Sequence, residues 1–308
     1  MSTEGSTKAI LAALLANAGI AVAKFIGFVI TGSSSMLAEA VHSVADTSNQ
    51  GLLLFGQRQA RKEADQVHQF GYGRSRYFYS FVVALVLFTL GSVFALYEGY
   101  HKISHPEGLT SPSVAIAILV VAIGLESYSF RTAVVESRPL KGSGGWWRFI
   151  RTSRNPELPV VLLEDAGALI GLIFALVGVG LTVLTGDAIW DGIGTVGIGV
   201  LLGVIAIILM VEMHSLLIGE GATKQEEAAI RAALEQTEHV DRLIHIRTQY
   251  LGPDELLVGA KIALAPQTDL ATVAVTIDAA EAAVRAAVPA ARVIYLEPDL
   301  DRALTGRA

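Results

Sequence analysis

The sequence predicts an α-helical membrane protein with six transmembrane helices, followed by a small α+β domain of αββαβ order, ferredoxin-like in layout. Three observations predict this class. Apolar stretches long enough to cross a hydrocarbon core of about 30 Å, which takes roughly 20 helical residues, recur six times. The connections between them alternate between strongly basic and nearly uncharged. From residue 220 onward the pattern changes to short alternating runs and polar-faced helices.

The chain has 308 residues, of which 52% are hydrophobic and 17% charged. Its mean hydropathy of +0.52 is too high for an ordinary soluble domain. Charge is sparse in 9–57 and 160–215 and dense elsewhere. There is no cysteine, which excludes disulfides, cysteine-type zinc fingers and dithiol redox chemistry. A transition-metal site would therefore use His, Asp, Glu or backbone oxygen. The net charge of −6 argues against a nucleic-acid partner. The first apolar segment spans and lacks a cleavage pattern, so it reads as a helix of the fold, with no leader. The Ala- and Gly-rich style suggests a bacterial inner membrane.

The expected spans run from about Lys8 to Ile30, Ser34 to Phe55, Tyr77 to Tyr100, Ser113 to Val135, Leu158 to Leu184 and Ile189 to Leu217. The first carries Asn17 and Lys24, which should face other helices. The second holds His42 and Asp46. The fourth carries Glu126 and Ser127. The fifth opens with Glu164 and Asp165, and the sixth has Asp191 and Glu212 near its ends. Gly171, Gly178, Gly180, Gly194, Gly197, Gly199 and Gly203 suit close helix approach in lipid.

Loop charge gives the orientation. The segment 57–76 carries Arg58, Arg61, Lys62, Arg74 and Arg76. The segment 138–154 carries Arg138, Lys141, Arg148, Arg151 and Arg154 and no acid. The alternate connections 31–33 and 185–190 have no Lys or Arg, and 101–110 has only Lys102. The basic loops follow the second and fourth helices and are cytoplasmic, which places both termini there too. Pro139 to Pro156 is expected as an ordinary loop with an interfacial Trp146-Trp147 anchor.

Residues 1–219 are thus expected as the six-helix unit and 220–308 as a cytoplasmic αββαβ unit, with nine Lys/Arg against thirteen Asp/Glu from 221 onward. A helix from about Lys224 to Gln236 precedes alternation over Leu243 to Tyr250. Leu251 to Glu255 is a turn signal. A strand-like run from Leu256 to Leu264 follows. Leu270, Val273, Ile277, Val284 and Val288 form a helical stripe, and Arg292 to Glu297 a last strand.

An ionisable residue inside a span is costly and reads as functional by default. His42 and Asp46 are four residues apart, on one helical face. Imidazole with carboxylate is a ligand set for Zn and its first-row neighbours. Glu164-Asp165 is a second acidic pair on another span. Counted at 1.5 Å per residue, His42 and Asp46 lie roughly 12–18 Å in from the outer end of their helix. Asp165 lies near mid-membrane on a helix running the other way. Two half-sites on two spans suggest a metal path across a membrane.

Several motifs then carry a resemblance. They are TGSSSMLAEAVHSVAD from Thr31 to Asp46, HQFGYG from His68 to Gly73, Tyr97-Glu98-Gly99, Leu217-Ile218-Gly219 and RTQYLGPDEL from Arg247 to Leu256. In this order and spacing the chain resembles the cation diffusion facilitator family of membrane metal/proton antiporters over nearly its whole length. The resemblance implies six helices, a homodimer and a tetrahedral site between the second and fifth helices. Many zinc-transporting members carry His or Asp four residues before the acid that matches Asp165. Here that position is Val161, which cannot ligate, and Glu164 directly precedes Asp165. This is similar to a subgroup with a Glu-Asp pair, which includes the mitochondrial zinc transporter of animals.

The expected metal ligands are His42, Asp46 and Asp165, with Glu164 or Asn49 completing the shell. Adjacent helical residues diverge by about 100°, so Glu164 and Asp165 cannot both point straight at one metal. Asn49 lies three residues after Asp46 and could supply a carbonyl oxygen. Asp65, His68 and Tyr72 lie in a loop where some relatives bind a second metal, with Tyr72 where those relatives have His. In the tail, Lys261 and Tyr295 stand near ligand positions of zinc-binding relatives, beside His239 and His245, so loss of that site is expected.

The resemblance implies a transporter that exports a divalent cation, Zn2+ first, by proton antiport, working in a lipid bilayer with protons as co-substrate. Mn2+, Fe2+ and Co2+ stay open as cargo, since Val161 weakens the zinc inference. A non-transporting membrane metal sensor is the alternative. An intramembrane metalloenzyme is disfavoured by the absence of a HExxH helix.

Overall fold

The computed structural model describes residues 2–31, 34–106, 111–265 and 267–300, with backbone alone at 2–5, 27–28, 30–31, 34–42 and 45. Its described elements are α1 (Ser2–Thr31), α2 (Ser34–Ala60), α3 (Ser75–Ser104), α4 (Pro112–Lys141), α5 (Trp146–Thr152), α6 (Glu157–Thr185), α7 (Ile189–Ile218), α8 (Lys224–Glu235), β1 (Val240–Gly252), β2 (Glu255–Leu264), α9 (Leu270–Ala287) and β3 (Ala291–Asp299). The chain divides into two compact units, residues 1–59 with 75–214, and 60–74 with 215–308.

In the first unit, five helices among the described residues are long and apolar enough to cross a membrane: α1, α3, α4, α6 and α7. The expected sixth span, α2, is not among them. It is 27 residues long but carries His42, Ser43, Asp46, Thr47, Ser48, Asn49 and Gln50 in its middle, which lowers its apolar content. Helix α1 packs on α4, α4 on α6, and α6 on α1 and α3. The helices that lead into the two basic loops run longer than expected, to Ala60 and Lys141. Helix α4 continues past Val135 to Lys141 with Pro139 in its last turn. Residues 139–156, expected as loop, contain the helix α5. Its Phe149 and Ile150 are buried while Trp147 is exposed, an amphipathic arrangement that a seven-residue window hides from periodicity.

Helix α3 widens into a π-helical segment at Leu87–Val93. There the Ser92 hydroxyl donates to the Gly199 carbonyl of α7 at 2.8 Å. A Cβ on Gly99 would lie 2.7 Å from Val196 atoms, and one on Gly199 would lie 2.8 Å from Leu96. Glycine is therefore what allows α3 and α7 to pack backbone to backbone. At the base of α3, Arg76 and Glu157 form a buried two-point ion pair, Nε to Oε1 at 2.5 Å and Nη2 to Oε2 at 2.8 Å. Burial of both groups is tolerable because each satisfies the other.

The second unit is a three-stranded sheet in the order β1-β2-β3. β1 and β2 pair antiparallel across a tight turn, and β2 and β3 pair parallel through the α9 crossover. Ile230 and Leu234 of α8 and Ala280 and Val284 of α9 share one core with Leu256, Val258 and Ile262 of β2. The αββαβ order is as expected. Helix α8 starts with a capping box: Thr223 Oγ1 accepts from Glu226 N–H at 3.3 Å and Glu226 Oε2 accepts from Thr223 N–H at 2.7 Å. The tail motif secures the segment leading out of α7. Glu220 carbonyl accepts from Tyr250 N–H at 2.8 Å, Thr248 Oγ1 accepts from Ala222 N–H at 2.9 Å, and Tyr250 hydroxyl donates to Glu226 at 2.6 Å. The loop motif meets the same strand end: a Cβ on Gly73 would lie 2.8 Å from the Leu251 carbonyl oxygen.

Candidate metal centre

Polar residues of α2, α4 and α6 converge inside the helical unit. Glu126 (4% exposed), Glu164 (6%) and Asp165 (1%) are buried, and Asp46 is half-buried. Asp46 lies within electrostatic reach of Glu126 and Glu164, and Glu126 within reach of Asp165. Lys24 of α1 acts on Glu126. Among the described residues the carboxylates outnumber the ammonium, and negative charge in a low-dielectric interior needs protons or a cation to offset it.

Helix geometry sorts the two acids of α6 between two neighbours. Glu164 faces α2: its Oε1 accepts from Asn49 Nδ2 at 3.1 Å and its Oε2 from Gln50 Nε2 at 2.8 Å. Asp165 faces α4: its Oδ2 accepts from Ser129 Oγ at 2.6 Å. This is how a turn of about 100° per residue resolves the crowding expected of adjacent acids. Asn49 Oδ1 and Gln50 Oε1 are buried and have no hydrogen-bond partner among the described residues.

Of the expected ligands, Asp46, Asn49, Glu164 and Asp165 lie in this region. The side chain of His42 lies outside the described residues. Among those described, no three His, Asp or Glu side chains stand together at metal-binding geometry. Sequence reasoning missed Gln50 and Ser129, and it noted Glu126 without a role. Gln50 is a second carboxamide beside Asn49 in a helix otherwise becoming apolar, and Ser129 follows Glu126 by three residues, one turn along α4; both were readable as inward-facing polar positions.

The expected second-metal loop is organised by other contacts. Tyr72 hydroxyl donates to Asp65 Oδ2 at 2.6 Å, and Asp65 Oδ1 accepts from the backbone N–H of Val67 and His68. These hydrogen bonds, Tyr72's first, hold the Asp65 carboxyl down at about 2. The His68 ring lies on Tyr72, centroids 4.4 Å apart, and Lys62 sits over the same tyrosine. In the tail, Lys261 Nζ reaches Glu297 at 2.8 Å and Asp299 at 3.0 Å. Those bonds raise the lysine's pKa, and its ammonium supplies the positive charge of that corner. His245 pairs across the ladder with Lys261, while His239 is exposed beside Glu238 in a left-handed backbone conformation.

Residues 10–218 match the family model described as the cation efflux transmembrane domain. The mouse protein named "Proton-coupled zinc antiporter SLC30A9, mitochondrial" is 30% identical over 84% of this chain and 46% of its own length. "Metal tolerance protein C4" of Arabidopsis thaliana is 29% identical over 85% of this chain and 58% of its own. "Magnetosome protein MamB" of Magnetospira is 26% identical over 79% of this chain and 78% of its own. The chain spans about half the length of the antiporter relatives it matches.

Proposed function

The chain belongs to the cation efflux family, and on that premise we propose that it carries a divalent transition-metal cation, Zn2+ first, across a membrane in exchange for protons. The observation that carries the reading is the convergence of half-buried Asp46 with buried Glu126, Glu164 and Asp165 from three helices, with Lys24 acting on Glu126. A divalent cation offsets this charge, and protons offset it equally well. Occupancy by one therefore expels the other. Exchange of this kind, combined with rocking of helices about a fixed site, is antiport.

The cation is held by His42 and Asp46 from α2 and by Asp165 from α6, with Glu164 or Asn49 completing the shell. The hydrogen bonds from α2 to Glu164 support that residue as the α6 carboxylate nearest the Asp46 face. The unpartnered Asn49 Oδ1 supports a carbonyl ligand. Helix α2 joins the five apolar helices as a sixth span with its polar face inward, and both termini lie on the cytoplasmic side. The protein works as a homodimer. Mn2+, Fe2+ and Co2+ are the competing cargoes. Placement in a bacterial inner membrane gains no support from relatives that are mitochondrial or plant; the proposal requires only a membrane carrying a proton gradient.

Calorimetry of Zn2+ binding to the full chain in detergent, in buffers of different protonation enthalpy, tests the site. The proposal expects proton release on binding and loss of binding in Asp46→Ala. Binding without proton release, or undiminished in Asp46→Ala, would overturn it.

A further inference from the structure

Gln50 is fully buried and lies next to Asn49 on α2. The two amide nitrogens take one oxygen each of the Glu164 carboxylate, at 3.1 and 2.8 Å. Consecutive helical residues diverge by about 100°, so both reach one group only when it lies in the groove between them. The long Glu side chain places its carboxylate there. With their donors turned to the anion, the amides have acceptors to spare. Asn49 Oδ1 and Gln50 Oε1 are buried without a partner among the described residues. A buried carbonyl oxygen left unpaired is costly and calls for an explanation. Two of them, set among carboxylates that already need positive charge, have the polarity of a cation's coordination shell.

We propose that Gln50 is a selectivity-determining residue of the cation site, its amide nitrogen fixing Glu164 against α2 and its Oε1 serving as an oxygen ligand to the divalent cation. The proposal rests on the metal-transport reading and adds to it a residue outside the expected ligand set. One amide performs both tasks because its donor and acceptor are separate atoms. A neutral carbonyl ligand adds no charge, so it leaves proton exchange to the carboxylates. It also adds an oxygen to the shell, which favours harder cations such as Mn2+ relative to Zn2+.

The test measures Zn2+ and Mn2+ affinities of the full chain in detergent, with the two metal chlorides as probes. Gln50→Met keeps length and removes both polar atoms. It is expected to weaken binding about tenfold or more and to weaken Mn2+ more than Zn2+, raising the Zn2+:Mn2+ preference. An unchanged preference overturns the proposal, whether affinity is kept or falls equally for both metals, since an equal fall marks a packing role. Should Gln50→Met not fold, Gln50→Glu tests the same claim: it keeps an oxygen at that position, so its Zn2+:Mn2+ preference must not rise above the native value, and a rise overturns the assignment. Asp46→Ala measured alongside separates the two levels. Binding that survives in Asp46→Ala sinks the site itself, whereas its loss with a Gln50-independent preference sinks only the role of Gln50.

Discussion

The Ser129 hydroxyl of α4 donates to the Asp165 carboxylate of α6 at 2.6 Å, both groups fully buried. A hydroxyl that holds a ligating carboxylate sets its direction, and loss of such a partner costs about 10- to 100-fold in metal affinity. Ser129→Ala should therefore weaken Zn2+ binding by about that factor while leaving the protein folded. Zn2+ calorimetry on the purified variant checks this, and native affinity would mean that Asp165 is not a ligand.

Arg76 and Glu157 are each almost fully buried and bond at two points. Removing one partner strands the other charge, at a cost of about 3–5 kcal/mol. Glu157→Ala and Arg76→Ala should each lower the apparent melting temperature in detergent sharply, whereas an Arg76→Met/Glu157→Leu pair should recover much of the loss. Thermal shift of the three variants measures this, and equal loss in the double variant would contradict it.

The loop at 61–74 should respond to acid through Asp65. Its carboxyl is held at about 2 against an ordinary 3.8, so the folded loop favours the ionised form. The stabilisation is full above about 3.8 and is lost as pH falls through about 2. Tyr72→Phe removes the largest cause and raises the Asp65 pKa toward the ordinary value, so its loop should open at higher pH. Pepsin cleavage between pH 2 and 4 reads the difference, with the variant cut first.

Gly73 and Gly252 touch backbone to backbone, and a Cβ on Gly252 would lie 2.9 Å from the Gly73 Cα. Backbone cannot step aside as a flexible side chain can, so Gly73→Val should cost about 1–3 kcal/mol through overpacking. Trypsin accessibility at Arg61 and Arg74 should rise in this variant and stay native in Gly145→Ser, where a Cβ meets open space on an extended backbone.

The αββαβ order of the tail was legible because its alternating and 3.6-period patterns are distinct and a clear turn signal at Leu251 to Glu255 parts the first two strands. The apolar spans were legible by length. Helix α5 was not, because seven residues hold too few periods to show that Phe149 and Ile150 share a face. The π segment at Leu87–Val93 was not, since nothing in its apolar run marks it; it coincides with the contact of Ser92 with the Gly199 carbonyl of α7. At the candidate site, the residue types on α2 and α6 announced themselves as charges in apolar runs. Their partners did not: which of Glu164 and Asp165 faces α2 depends on helix rotation, and Gln50 and Ser129 carry no charge to draw attention.

Proton-driven Zn2+ flux in proteoliposomes, with the native chain and Asp46→Ala side by side, tests the central claim most directly. The account predicts Zn2+ uptake that requires a pH gradient and is abolished in Asp46→Ala. Zn2+ flux that ignores the gradient, or that persists in Asp46→Ala, would contradict it, and no flux of Zn2+, Mn2+, Fe2+ or Co2+ from a folded protein would replace transport with metal sensing.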